Sequence, residues 1–352
     1  MGKKRKIELM APVGDFCMLN TACREGADAV YFGLKSFSMR SGNKKHFLLS
    51  DLKKIRETAN SYPQKTKIYL TLNSILFDNE LIEIKKIIKK ASGLVDAIIC
   101  SDFAVIDLCK RYKVPFIIST QLSVSNKKAL IYYKKLGAKR VVLARELSLN
   151  QIREISKVRG IEKEVFIHGA MCVAVSGRCF TSQFLFNRSA NRGECLHPCR
   201  RKYIIEDEEL GYKLRLERGT VMSAKDLCVL PFMEEVKKLG ISAVKIEGRN
   251  RDSRYIEKTV RIYRDAIDNR LSKDKIKKYM EELEDVYNRG FSSGFYLGKP
   301  LPEDFAEFEN SASRTYREFV GEVVYFYPKI KVALLRLRGR VERGDEIAVF
   351  GE

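Results

Sequence analysis

The sequence predicts an α/β protein: a (β/α)8 TIM-like barrel with a long cysteine-bearing insertion between strands 7 and 8 and a short C-terminal β extension. Three observations carry that expectation. Eight short apolar runs rich in Val, Ile, Phe and Tyr recur along the chain, amphipathic stretches separate most of them, and each run ends on polar residues or glycine. Strands that alternate with helices pair in parallel, because only a crossover returns the chain to lay the next strand in the same direction.

In order, the runs are IELMAP (7–12), AVYFGL (29–34), KIYLTLN (67–73), DAIICSD (96–102), PFIISTQ (115–121), RVVLARE (140–146), EVFIHG (164–169) and AVKIEGR (243–249). The first seven start roughly 20 to 40 residues apart, the length of one βα unit. Stretches such as ELIEIKKIIKKASG and LNQIREISKVRG repeat apolar residues at helical spacing. An open doubly wound sheet is the alternative. The Gly-rich turn expected after its first strand is absent, which favours closure. Residues 1–300 therefore make the barrel, with the insertion at 170–240, and residues 315–352 a small, abbreviated β domain. Alternation in KVALLRLR and the turn in VERGDEIAVFG mark the short strands of that tail. An incomplete sheet exposes an edge, so a homo- or hetero-oligomer is an expected consequence.

Composition narrows the class. With 352 residues, 45% apolar and 32% charged, the chain is an ordinary globular protein large enough for its own core. The apolar run after MGKKRK breaks at Pro12 and Gly14, too short for a secretion signal, and no later run is long enough to cross a membrane. The expectation is a cytoplasmic protein with no membrane partner. In that compartment structural disulfides are rare, and clustered thiols point to metal or redox chemistry. The net charge of +21 points to a polyanion, RNA above all. Basic residues cluster at Lys85, Lys86, Lys89 and Lys90 and again in NKKALIYYKKLGAKR, although lysine-rich helix faces also serve simply as solvated surface.

Barrel enzymes build their sites where the strands end. Here Asp102, Gln121, Arg145, Glu146, His168, Glu247 and Arg249 stand at or just beyond strand ends and form the candidate catalytic ring. In AVKIEGR the alternation puts Lys245 and Glu247 on one face and predicts an ion pair between them. The seventh connection, from His168 to Ala243, is about three times the usual βα length and contains Cys172, Cys179, Cys195, Cys199 and Cys228. Their spacing matches neither the paired CxxC of a zinc ribbon nor a ferredoxin run. A metal site, a redox pair at Cys195 and Cys199, and buried packing all remain open at this point. Cys17, Cys23, Cys100 and Cys109 fall within strands or helices, where packing is the better reading.

EVFIHGAMCVAVSGRCFTS resembles the signature of peptidase family U32, the collagenase-like peptidases. The likeness continues through YFGLKSFSMR, TLNSILFDNE, STQLSVSN, RVVLAREL, NRSANRGECLHPCRRKY, MSAKDLC, KIEGRNRDSRYIEKTVRIYRDAID and NRGFSSGFYLG. Members of the family include proteins that hydroxylate a tRNA wobble uridine or a ribosomal RNA cytidine, and others that hydroxylate quinone precursors without oxygen. Several hold a 4Fe–4S cluster on four cysteines, and the RNA branch is linked to prephenate as hydroxyl source. On this chain the resemblance implies cluster ligands at Cys172, Cys179, Cys195 and Cys228, with Cys199 as the alternative fourth ligand. It implies that Arg178, Arg192 and Arg200 offset cluster charge or grip phosphate, and that Arg145 and Arg249 hold a carboxylate-rich donor. Arg200, Arg201, Lys202, Arg251 and Arg254 are the candidate RNA contacts. The expected function is RNA base hydroxylation, foremost 5-hydroxyuridine at the tRNA wobble position. A collagenase-like peptidase and oxygen-independent hydroxylation of a quinone precursor are the alternatives. Hydrolysis has the weaker chemical case: HExxH is absent, and His46, His168 and His197 are the only histidines.

Overall fold

The computed structural model describes residues 7–42, 46–201, 203–215, 222–306, 311–315, 318–345, 347 and 349. Eight strands carry the barrel: β1 (Glu8–Pro12), β2 (Ala29–Gly33), β3 (Lys67–Leu72), β4 (Ala97–Cys100), β5 (Phe116–Ile118), β6 (Arg140–Val142), β7 (Glu162–Gly169) and β8 (Ala243–Ile246). Each pairs in parallel with the next, and β8 pairs with both β7 and β1, which closes the cylinder. All eight apolar runs of the sequence are barrel strands. They read as continuous apolar runs because helices cover one face and the barrel interior the other.

The helices show why their sequences fold as they do. Phe16–Arg24 starts at Asp15, whose side chain accepts the Met18 N–H at 2.8 Å. Leu81–Ala91 buries Ile84, Ile87 and Ile88 against the barrel and leaves Lys85, Lys86, Lys89 and Lys90 exposed. Ser253–Asp268, the helix after β8, is capped by Asp252 and buries Tyr255, Ile256, Val260 and Tyr263. Among the described residues no helix is long and apolar enough to cross a membrane.

The barrel interior is unusual in being charged. Arg140 reaches Glu8 at 2.7 Å, Glu162 at 2.7 Å and Glu164 at 3.0 Å, while Lys67 reaches Glu8 at 2.6 Å. Burial would raise the Glu8 pKa, but the Arg140 and Lys67 cations outweigh it and hold the carboxyl at about 2. Lys245 pairs with Glu164 at 3.0 Å, not with Glu247 as the alternation suggested. Glu164 sits on the adjoining strand one layer deeper, while Glu247 is drawn to cations at the mouth. Buried pairs of this kind hold only when each partner is satisfied, and here one lattice does so.

A register slip in β7 matters for the site. Lys245 lies opposite Phe166, yet Ile246 lies opposite His168, so Ile167 is an extra residue and the strand bulges there. Beyond β7, the insertion returns as a short strand, Asp226–Cys228, antiparallel to the end of β7, and Phe291–Ser292 extends the sheet. A second insertion hairpin pairs Ile204–Glu206 with Lys213–Arg215. In the tail, Gly321–Tyr327 and Val332–Leu337 form an antiparallel hairpin that is largely exposed on both faces. The sequence reading of the last residues as strand falls partly on 346, 348 and 350–352, outside the described residues.

Candidate active site at the barrel mouth

The carboxyl ends of the strands surround a cavity of about 480 Å³, a size typical of small-ligand sites. Tyr31, Thr71, Asn73, Gln121, Arg145, Phe166, Lys245, Glu247 and Arg249 form its floor and wall. Residues 170–201 fold over it and contribute Cys172, Ser176, Cys195 and Cys199. That segment is fastened to the barrel by its backbone: Gly42 N–H donates to Gly193 O at 3.1 Å and Ile75 N–H to Asn191 O at 3.2 Å. Arg192 adds an ion pair with Glu80 and lies 4.7 Å from the Phe77 ring centroid. It therefore anchors the insertion and does not line the cavity.

The wall is rich in guanidinium. Among the described lining residues Glu247 is the single carboxylate, set against Arg40, Arg145, Arg249, Arg251 and Arg289. Glu247 pairs with Arg40 at 3.1 Å and accepts from the Tyr31 hydroxyl at 3.2 Å. Burial would raise its pKa, but Arg40, Arg249 and Arg145 prevail and hold it at about 2. Arg145 donates through Nη1 to Ala170 O at 2.8 Å, while its buried Nε and Nη2 have no hydrogen-bond partner among the described residues. Arg249 donates to Thr71 Oγ1 at 2.9 Å, and its buried Nε is likewise unpaired among them. Burial lowers the pKa of both. Unsatisfied buried donors are costly, so these atoms mark where an anion would be held. Gln121 donates to Ser176 O at 3.3 Å and accepts from Asn73 at 3.3 Å, joining wall to lid.

Gln121, Arg145, Glu247 and Arg249 thus meet in one cavity. Three members of the expected ring do not. Asp102 caps the helix Phe103–Arg111, accepting the Ala104 N–H at 2.8 Å, and the same strand-end position serves both purposes. Glu146 follows Arg145 in a turn, is exposed, and does not line the cavity. His168 is turned outward by the bulge into an aromatic nest of Tyr255, Tyr263 and Phe291, with Nδ1 at 3.3 Å from the Tyr263 hydroxyl.

The thiols divide in the same way. Cys172, Cys195 and Cys199 line the cavity, and Cys179 lies in the same loop, close enough to act electrostatically on Cys195. Cys179 and Cys195 each accept a backbone N–H, from Thr181 and His197, at 3.4 Å. Cys228 is buried elsewhere, its Sγ 3.5 Å from the Tyr263 hydroxyl and 3.7 Å from Met280 Sδ. Cys199, the alternative fourth ligand, thus shares the cavity with Cys172 and Cys195, while Cys228, the preferred one, pairs with His168 across the sheet and lies with it in the outer layer.

Of the expected RNA contacts, Arg200, Arg201 and Arg251 line the cavity. Arg200 is committed inward, to Ser223 Oγ at 3.1 Å and Ala224 O at 2.9 Å. Arg251 stacks on Tyr287 with 3.4 Å to the ring centroid. Arg254 lies outside the cavity, donating to Thr315 at 2.9 Å, and Lys202 is outside the described residues. Sequence reasoning missed Tyr31, Arg40 and Arg289, and took Asn73 only as a polar strand end. Tyr31 hides inside an apolar run, and Arg40 and Arg289 lie in loops that only the fold brings to the mouth.

A closed parallel barrel with helices between its strands places the chain among the TIM-like α/β barrel proteins. The chain belongs to peptidase family U32, whose model matches residues 14–305. It is 40% identical to an uncharacterized protease of Methanocaldococcus jannaschii, over 98% of this chain and 87% of that one. It is 36% identical to a collagenase of Porphyromonas gingivalis, over 98% and 86%. To tRNA hydroxylation protein P1 of Bacillus subtilis it is 34% identical, over 99% and 84%. A solved U32 peptidase structure is similar with a TM-score of 0.46 at 12% identity, covering 70% of this chain and 96% of that one.

Proposed function

We propose that this chain is an enzyme that hydroxylates a base of RNA, at the wobble uridine of tRNA, with an iron–sulfur cluster seated at the barrel mouth. One observation carries the reading: three thiols and a marked excess of guanidinium share one cavity, with a fourth thiol beside it. Relatives named as tRNA hydroxylation proteins, at 34% and 37% identity, support the substrate class.

The donor set fits such a cluster. Among the described residues no three Cys, His, Asp or Glu side chains converge on a single ion. Half-buried Cys172, Cys179, Cys195 and Cys199 on one segment supply the thiolate donors that such a cluster takes. The N–H donors to Cys179 and Cys195 would stabilise thiolate charge. When bound, the cluster supplies a redox-active iron centre beside the substrate.

The chain's own residues do the rest. Arg145 and Arg249 offer unpaired donors for the carboxylates of a small hydroxyl donor, for which prephenate is the candidate. Glu247 stays ionised at neutral pH, so it gives no proton; it holds Arg40 and the Tyr31 hydroxyl in place. Asn73 and Gln121 are bonded to each other and to Met39 N–H and Ser176 O, and so brace the lid against the cavity wall. His168 lies in an aromatic nest away from the cavity, so a hydrolytic site would have to be built on His197, which lines the cavity with Cys195 and Cys199 and is kept neutral by burial, with its pKa at about 4.

The test is mass spectrometry of tRNA and ribosomal RNA nucleosides from a deletion strain. Loss of 5-hydroxyuridine-type nucleosides is expected, restored by the wild-type gene and by Cys228→Ala but not by Cys172→Ala or Cys199→Ala. Anaerobically purified protein should carry about four irons and four sulfides per chain. Unchanged nucleosides together with cleavage of gelatin by metal-free protein would overturn the reading.

A further inference from the structure

The loop that roofs the cavity has an outer side that the proposed chemistry leaves unused. There Phe180 and Phe184 are 65% and 83% exposed, on and beside the short helix Thr181–Phe186. Their ring centroids lie 6.1 Å apart at 40°, so neither ring covers the other. Leu185 and Leu196 widen the patch, and the Arg201 guanidinium sits 4.5 Å from the Phe186 ring centroid. A monomer gains nothing by leaving two phenylalanines this bare, and contiguous exposed apolar surface marks an interaction site.

Charge selects the partner. Residues 165–193 contain no Asp or Glu, although the chain has 45, and they carry three arginines. Arg178 and Arg188 flank the rings and are exposed, the latter 3.7 Å from Glu194. Aromatic faces interleaved with guanidinium groups, with Glu194 as a neighbouring carboxylate beside Arg188, suit stacked, unpaired nucleotides, which offer a π-face and a phosphate in each repeat. Size points the same way. A cavity of about 480 Å³ is in the class of single small-ligand sites, so an RNA can send in one nucleotide and must lay its neighbours outside.

We propose that Phe180 and Phe184 form a stacking platform for the unpaired bases that flank the nucleotide entering the cavity. The proposal rests on RNA being the substrate, and its test separates the two. Fluorescence anisotropy of the anaerobically purified full-length protein would use a labelled tRNA anticodon stem–loop. Phe180→Ala and Phe184→Ala should each weaken binding roughly 5- to 150-fold, the loss expected for one base stack. The salt dependence should not change, because no charge is removed. Phe184→Trp should retain affinity, and unchanged iron content should show that the loop is intact. If the wild type binds RNA and both alanine variants bind equally well, the platform is wrong while the RNA reading stands. If the wild type binds no RNA, both fall. A wild-type dimer that Phe184→Ala dissociates in sedimentation would show that the patch covers a second copy of this chain, and would overturn the platform.

Discussion

His168 shows how one residue can belong to a site in sequence and to the core in space. Its outward turn buries the imidazole, and burial pushes its pKa from an ordinary 6.5 to about 4, with Asp226 pulling weakly the other way. The Tyr263 hydroxyl spends its proton on Ile167 O at 3.1 Å, so Nδ1 of His168 is the donor to Tyr263. A histidine kept neutral in the fold but free to protonate when unfolded makes stability depend on pH. Its contribution is complete above pH 6.5 and is lost as pH falls toward 4, because only the unfolded chain takes up the proton in that window. The shift corresponds to about 3 kcal/mol at roughly 1.4 kcal/mol per unit. His168→Gln keeps a donor and removes the titration. Urea unfolding from pH 7 to about pH 5.5 should therefore show a steeper fall in stability for the wild type than for the variant, whose remaining slope comes from His197, also held at about 4 by burial. Below that range the unfolded carboxylates, ordinarily at 4.5, take up protons that Glu8 and Glu247, both at about 2 in the fold, do not. A wild type as flat as the variant would mean that His168 is charged or solvated.

Among elements, the barrel strands were legible because burial on two faces leaves continuous apolar runs, and their helices because one stripe is apolar. The site was half legible. Arg145, Glu247 and Arg249 follow their strands directly, whereas a bulge of one residue, invisible in the pattern, moved His168 and with it Cys228 to the outer layer. Asp102 illustrates a different ambiguity, since the end of a strand is also the start of the next helix. Arg40 could not be found at all, because only the fold carries its loop to Glu247. What holds the thiol-bearing segment in place is mostly backbone, and this makes Gly193 decisive. Its φ is +90°, and a Cβ there would clash with the Ser38 carbonyl oxygen and the Ser41 backbone. Gly193→Ala should loosen residues 170–201 without unfolding the barrel, whose core lies elsewhere. Limited proteolysis should cut this segment at least tenfold faster than in the wild type while circular dichroism stays the same, a loosening of about 1.4 kcal/mol or more. Equal cleavage rates would show that Arg192 and its ion pair with Glu80 suffice to hold the lid.

On the scale of the whole molecule, charge is arranged in two unlike ways. Inside the barrel, Arg140 and Lys245 are matched by Glu8, Glu162 and Glu164, so the interior adds little to the external field. Among the described residues, cations outside that interior stand at the mouth, on the outer helices and in the tail. Leu81–Ala91 presents four lysines to solvent, and Lys127–Leu136 presents Lys127, Lys128, Lys134 and Lys135. If a tRNA reaches down the side of the barrel from the mouth, those lysines neutralise phosphates, and each contact releases counterions. Replacing Lys85, Lys86, Lys89 and Lys90 together by Gln should then weaken tRNA binding. It should also reduce the slope of log K against log salt by about 0.9 for each duplex phosphate no longer contacted, or about 3.6 if all four are. The cavity is untouched by these changes, so iron content and binding of a small carboxylate donor should stay as they were. Titrations of intact tRNA from 50 to 300 mM salt (on the order of the range where such slopes are resolved) give the answer directly. An unchanged slope would assign these lysines to solubility alone and confine the RNA footprint to the arginines of the mouth and lid.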